Sequence, residues 1–185
     1  MSGKVDRRVR RTRQAIHRAL VELVLEKGYD GVTVTDIIER ADVGRSTFYA
    51  HFTGKQEVLF GDLGGLAFLH PAPSTDGPLL AFTLPVFEHV ADERSLVRAL
   101  LGRRGGAAIV ARGEQMLARV VREEFLARGA APSVFLDLTV TCVVGAFMGL
   151  LREWADGDTT TTPADLDAAF RAVVIPGVEA VLARR

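Results

Sequence analysis

Residues 33–52 read TVTDIIERADVGRSTFYAHF, and the fold turns on how this stretch is parsed. Thr33 followed by Asp36 fits a capping box, in which the hydroxyl accepts from the backbone three residues on and the carboxylate reaches back. The short helix so opened carries Ile37, Ile38 and Ala41 on its apolar side. Asp42 sits where the chain must turn, and Asp enters turn conformations more easily than most residues. Gly44 then opens another short helix, with Phe48 and Phe52 one turn apart on one side. Arg45, Ser46, Thr47, Tyr49 and His51 are left facing outward. Two short helices joined by a tight turn, the second with a compact polar outer face, predict a helix-turn-helix that reads a major groove.

Upstream, Ala15, Ile16, Ala19, Leu20, Leu23 and Val24 recur at helical spacing and predict a first amphipathic helix ending at Lys27 and Gly28. Before it runs a basic arm. Lys4, Arg7, Arg8, Arg10, Arg11, Arg13 and Arg18 face only Asp6, a footprint suited to phosphate, although a solvated and partly disordered tail has the same composition. The chain as a whole carries no net charge, so the basic excess is local: 11 Lys and Arg against 8 Asp and Glu in residues 1–60, and 12 against 15 thereafter.

Downstream, a fourth helix begins at Lys55 with Val58, Leu59, Leu63 and Leu66 as its inward stripe. His70 to Pro78 holds three prolines and a glycine, which cannot continue a helix and mark a hinge or boundary. Helical patterns follow at about 79–91, 93–102, 106–128, 133–156 and 164–183, with Thr162 placed to cap a helix opening at Pro163. No strand alternation stands out. The expected fold is all-α, with a DNA-binding domain over residues 1–60 and a helical domain over 61–185.

Residues 10–60 closely resemble the tetracycline-repressor (TetR) family of bacterial regulators. The resemblance rests on Thr33-Val34, Asp36-Ile37-Ile38 and above all Ala41 to Phe52, followed by Lys55 and Leu59. It implies that Thr33 and Ser46 meet phosphates, that Arg45 and Thr47 lie nearest the base edges, and that Tyr49, His51 and Lys55 clamp the DNA backbone. Asp42 stands in place of the family's usual turn glycine, Gly44 of its capping serine, and Gly54 of the polar residue before the lysine. The phosphate contact normally made at position 44 is therefore the one least expected here. From physics alone, Lys55 at a helix start also suits an anion.

The resemblance further implies a ligand pocket and a dimer face in the helical domain. Candidates for the pocket are Phe82, Phe87, His89, Met116, Phe125 and Phe147, and for the dimer face Cys142, Ala146, Gly149, Leu150, Glu153, Phe170 and Val174. The partners it implies are a double-stranded DNA operator, a second copy of the chain and a small-molecule effector. An architectural DNA binder without effector control is the competing reading.

Other classes fit poorly. Val134 to Leu151 is long and apolar, but Asp137, Thr139 and Thr141 argue for a helix buried in protein rather than a membrane span. The single Cys142 excludes an internal disulfide, and no signal peptide is evident at the N-terminus, so a cytoplasmic location is expected. No glycine-rich phosphate loop or nucleophile elbow suggests an enzyme, and His70, His89 and Cys142 have no metal spacing, so neither metal nor cofactor is expected.

Overall fold

A computed structural model describes residues 2–61, 77–101, 106–157 and 160–183, and among these the only regular element is the α-helix. The helices are α1 (Ser2–Lys27), α2 (Val34–Arg40), α3 (Arg45–His51), α4 (Lys55–Gly61), α5 (Thr83–Asp92), α6 (Arg94–Leu101), α7 (Ala107–Ala127), α8 (Val134–Asp156) and α9 (Pro163–Leu182). Leu63, Leu66, His70 and most of the proline-rich break, together with residues 102–105, lie outside the described residues.

The helix ends follow local chemistry. Gly28 closes α1 at φ +74°, in the left-handed region that costs glycine little. Thr33 and Thr162 both form complete capping boxes, with Asp36 and Asp165, and Pro163 occupies the first turn of α9. Two departures from the expected pattern have physical causes. The basic arm is helical from Ser2 onward, continuing α1, because arginine favours helix and each residue added to an existing helix gains a hydrogen bond. Residues 79–82 form a turn before α5, not its first turn. Buried Leu80 sits there at φ +53°, its N–H donated to Glu124 at 3.0 Å and its carbonyl accepting from the Thr83 hydroxyl at 2.9 Å.

The buried side chains form two clusters. One gathers Ile16, Leu20 and Val24 of α1 with Ile37, Phe48, Phe52 and Val58, and it recruits Leu100 of α6 and Ile109 of α7. The other is built from α5, α7, α8 and α9 around Phe87, Phe125, Phe147, Trp154 and Phe170. Between the clusters lies α6. Its Arg94 donates to the carbonyls of Trp154 and Gly157, and Arg98 to that of Ala155 at 3.0 Å, so two cations satisfy the free carbonyls that end α8. The corner entering α7 presses on the α1–α2 loop. A Cβ on Gly106 would meet Asp30 Oδ1 at 2.7 Å and Tyr29 Cδ1 at 3.2 Å, so a larger residue here would have to displace those two side chains.

By length and composition α8 could cross a membrane, with a mean hydropathy of 2.1 over its most apolar window. Leu136, Val140, Val143, Val144, Phe147, Met148, Leu151 and Trp154 are nevertheless buried among the neighbouring helices, as in a core helix.

Candidate nucleic-acid interface

The turn between α2 and α3 is made by Asp42 at φ +50°. In that conformation a non-glycine residue is held against its preference, least severely when it is Asp or Asn. The turn aims α3 so that Phe48 is fully buried while Arg45, Ser46, Thr47, Tyr49 and Ala50 stay exposed. Gly44 caps α3 with extended backbone and no side-chain bond. The polar outer face is shaped by its own aromatic: Arg45 lies with its guanidinium carbon 5.8 Å from the Tyr49 ring centre, and Tyr49 packs edge-on to Phe48 at 5.4 Å.

The C-terminal end of α3 is fastened to α1. Arg13 lies over the Phe52 ring at 4.4 Å and donates from Nη1 to the His51 carbonyl at 3.3 Å. N-terminal to Arg13, α1 displays Arg7, Arg8 and Arg11 to solvent. These arginines and Thr12 share with Thr47 and His51 a cleft of about 860 Å³. The basic arm and the outer face of α3 are thus walls of one concavity, which sequence spacing alone did not reveal.

Thr33 is exposed, but both its backbone N–H and its hydroxyl are engaged by Asp36 at 2.7 Å, and Asp36 also pairs with Lys27 at 2.8 Å. The Lys27 and Thr33 hydrogen bonds hold the Asp36 carboxyl far below the usual carboxylate range. The missing cap at Gly54 is offset by Glu57, which reaches back to the N–H and hydroxyl of Thr53 at 2.6 Å and is itself kept more acidic by them.

Lys55 points inward. Its ammonium donates to the carbonyls of Tyr29 and Val32, each at 2.8 Å, and partial burial lowers its pKa. Of its three donors only one is left for a phosphate.

The candidate ligand residues divide. A cavity of about 710 Å³ opens between α1, α4, α5, α6, α7 and α8, and His89, Met116 and Phe147 line it. Phe82, Phe87 and Phe125 do not: they are packed in the core, Phe82 and Phe87 against Phe147 at 5.8 and 4.9 Å between ring centres. Sequence reading missed the contribution of α1, whose Gln14, His17 and Val21 also face the cavity.

The candidate dimer residues divide as well. Cys142, Ala146, Gly149 and Glu153 are exposed on α8, and Leu150 is half-buried. Phe170 is buried in the chain's own core, edge-on to Phe147 at 5.5 Å, and Val174 packs half-buried against the same core. The exposed apolar groups of this region are instead Val134, Phe135 and Leu138 on α8 and Val173 on α9, the last 79% exposed.

Residues 16–60 match the family profile of bacterial regulatory proteins of the tetR family. The chain is 42% identical over 57 residues to the uncharacterised HTH-type transcriptional regulator YxbF of Bacillus subtilis (strain 168), covering 30% of this chain and 15% of that protein. It is 34% identical over 106 residues to the HTH-type transcriptional regulator TcmR of Streptomyces glaucescens, covering 55% of this chain and 42% of the relative. In both cases the match spans less than half of the relative's own length. The crystal structure of a TetR transcriptional regulator from Streptococcus agalactiae 2603V shares the fold, with a TM-score of 0.66 at 24% identity over 94% of this chain and 99% of that one. These relatives are transcription factors and not enzymes. With a helix-turn-helix that exposes a polar α3 and matches that profile, residues 16–60 form a DNA-binding segment of the tetR family type, and the chain as a whole shares the fold of a TetR transcriptional regulator.

Proposed function

We propose that the protein is a cytoplasmic repressor that binds a palindromic DNA operator as a homodimer and leaves it when a small-molecule effector binds. The observation that carries the DNA reading is the shared cleft of Arg7, Arg8 and Arg11 with Thr47 and His51, which joins phosphate-seeking cations to the groove-facing helix. Arg45 and Thr47 read base edges, and an arginine bonded bidentately to guanine discriminates by about 1–3 kcal/mol. Ser46, Tyr49 and His51 meet the sugar-phosphate backbone. Thr33 and Lys55 act chiefly by holding the helix pair in place, since both are engaged by partners within the chain.

The homodimer is supported by the exposed apolar faces of α8 and α9. Leu138, Cys142, Ala146 and Gly149 share one exposed side of α8, and Val173 is exposed on α9. Gly145, Gly149 and Gly177 have open space where a side chain would be, which lets a second backbone approach closely. Two recognition helices one DNA turn apart then require a two-fold symmetric site.

Selection of bound sequences from random DNA, followed by footprinting, tests this reading, with light scattering on the same sample. A palindrome protected by a particle of two chains is the expected result. Sequence-indifferent coverage that vanishes with salt would instead fit an architectural binder.

A further inference from the structure

The 710 Å³ cavity is within the volume range of sites that hold small organic molecules. Its walls belong to both hydrophobic clusters. From α7 come Ile109, Gly113 and Met116, spaced along one helical face, and a Cβ on Gly113 would meet no atom within 4 Å. Leu59 of α4, Val97 of α6 and Leu151 of α8 add to an apolar lining. The opposite wall is α1, which presents Gln14, His17, Arg18 and Val21, again one helical face. The other face of α1 carries Ile16 and Leu20 into the core that seats α3.

Among the described residues, the polar groups around this cavity carry little net charge. Arg18 is offset by Glu93, and Glu22 already pairs with Arg40 at 3.4 Å. A charged ligand would lose its hydration without finding a surplus counter-charge among the described residues. His17 and Gln14 on one side and His89 on the other supply hydrogen-bonding groups.

Building on the effector reading above, we infer that the effector is an uncharged, mainly apolar molecule with a hydrogen-bonding end, and that it touches α1 directly. It is thereby gripped by both halves of the chain, and only one helix separates it from the recognition helix. Ligand affinity then depends on how α1 sits against α5, α6 and α7, which is the differential affinity that a shift between two arrangements demands. The α1 that carries this wall also carries Arg13, fastened to the end of α3.

The test uses the full chain and Nile red, an uncharged dye that brightens in apolar surroundings, with the anionic dye 1-anilinonaphthalene-8-sulfonate and the cationic dye rhodamine 6G for comparison. Saturable binding of one Nile red per chain is expected, at least tenfold tighter than either charged dye. Gly113→Phe should weaken it at least tenfold without lowering the melting temperature, because the new ring enters open space and phenylalanine favours helix over glycine. Amide hydrogen exchange should slow at least threefold on binding in residues 14–24 as well as in 107–117. Protection confined to 107–117 would overturn the direct contact with α1 and leave the effector reading standing. Equal affinity for a charged dye would overturn the ligand class alone. Absence of saturable binding, or binding unaffected by Gly113→Phe, would remove both the inference and the cavity's role as an effector site.

Discussion

Lys55 holds Tyr29 from two directions: its ammonium donates to the Tyr29 carbonyl at 2.8 Å while lying 4.3 Å from the centre of the Tyr29 ring. A third tie runs to the Val32 carbonyl, so the start of α4 is locked onto the α1–α2 loop. The cation most readily assigned to DNA by its position at a helix start is largely engaged inside the protein.

Lys55→Met should therefore act first on stability. Hydrogen bonds from a charged donor contribute about 1.5–3 kcal/mol, and a chain of this length loses about 2–4 °C of melting temperature per kcal/mol. Thermal unfolding followed by circular dichroism is expected to show a drop of several degrees. An unchanged melting temperature with weaker, less salt-dependent DNA binding would return the ammonium to a phosphate.

Tyr29 supplies a prediction at high pH. Its hydroxyl is buried without a partner, and burial pushes its pKa up to about 12. The folded state thus holds the phenolic proton more tightly than the unfolded chain, whose tyrosine titrates near 10. The resulting stability is fully present below pH ~10 and is lost as pH rises through ~10 towards ~12. Urea unfolding at pH 8 and pH 11 should show this loss, and Tyr29→Phe should reduce it while leaving stability at pH 8 equal or higher.

Arg13 positions α3 without facing the groove itself. Arg13→Ala removes its stacking on Phe52 and the bond to the His51 carbonyl. A cation over an aromatic ring at an exposed site is worth about 0.5–1 kcal/mol, so the selected operator should be bound roughly 2–5-fold more weakly, as fluorescence anisotropy would measure. Arg13→Lys should recover little, because an ammonium lacks the planar stacking surface. Equal weakening on random DNA would show that Arg13 acts as a plain phosphate contact.

The arm can be separated from the reader by salt. Replacing Arg7, Arg8 and Arg11 together with glutamine should lower the slope of log affinity against log salt by about 0.9 for each lost phosphate contact. The preference for operator over random DNA should change little, whereas Arg45→Ala should reduce that preference and alter the slope by at most about 1.

Helix positions were readable because periodicity and caps are local: the Thr33 and Thr162 boxes and the stop at Gly28 form where the sequence signals them. Which face meets which neighbour was less readable. α8 is apolar almost all round, so its faces could not be oriented from sequence, and the dimer candidates mixed half-buried Leu150 with exposed Cys142 and Ala146. Phe82, Phe125 and Phe170 were drawn to pocket or interface by residue type, yet large aromatics fill a core equally well. The inward turn of Lys55 and the α1 wall of the cavity depend on contacts between segments far apart in the chain, which no local pattern encodes.

Leu100 and Ile109 sit in the same cluster as Ile16 and Phe48, and their neighbours Arg94 and Arg98 bind the end of α8. The recognition module is consequently not a detachable cassette. Excising the first 60 residues would strip apolar cover from α1, and transplanting them onto another effector domain would require a replacement for α6. Heat or urea should melt the intact chain in one cooperative step, because neither cluster can open without uncovering the other.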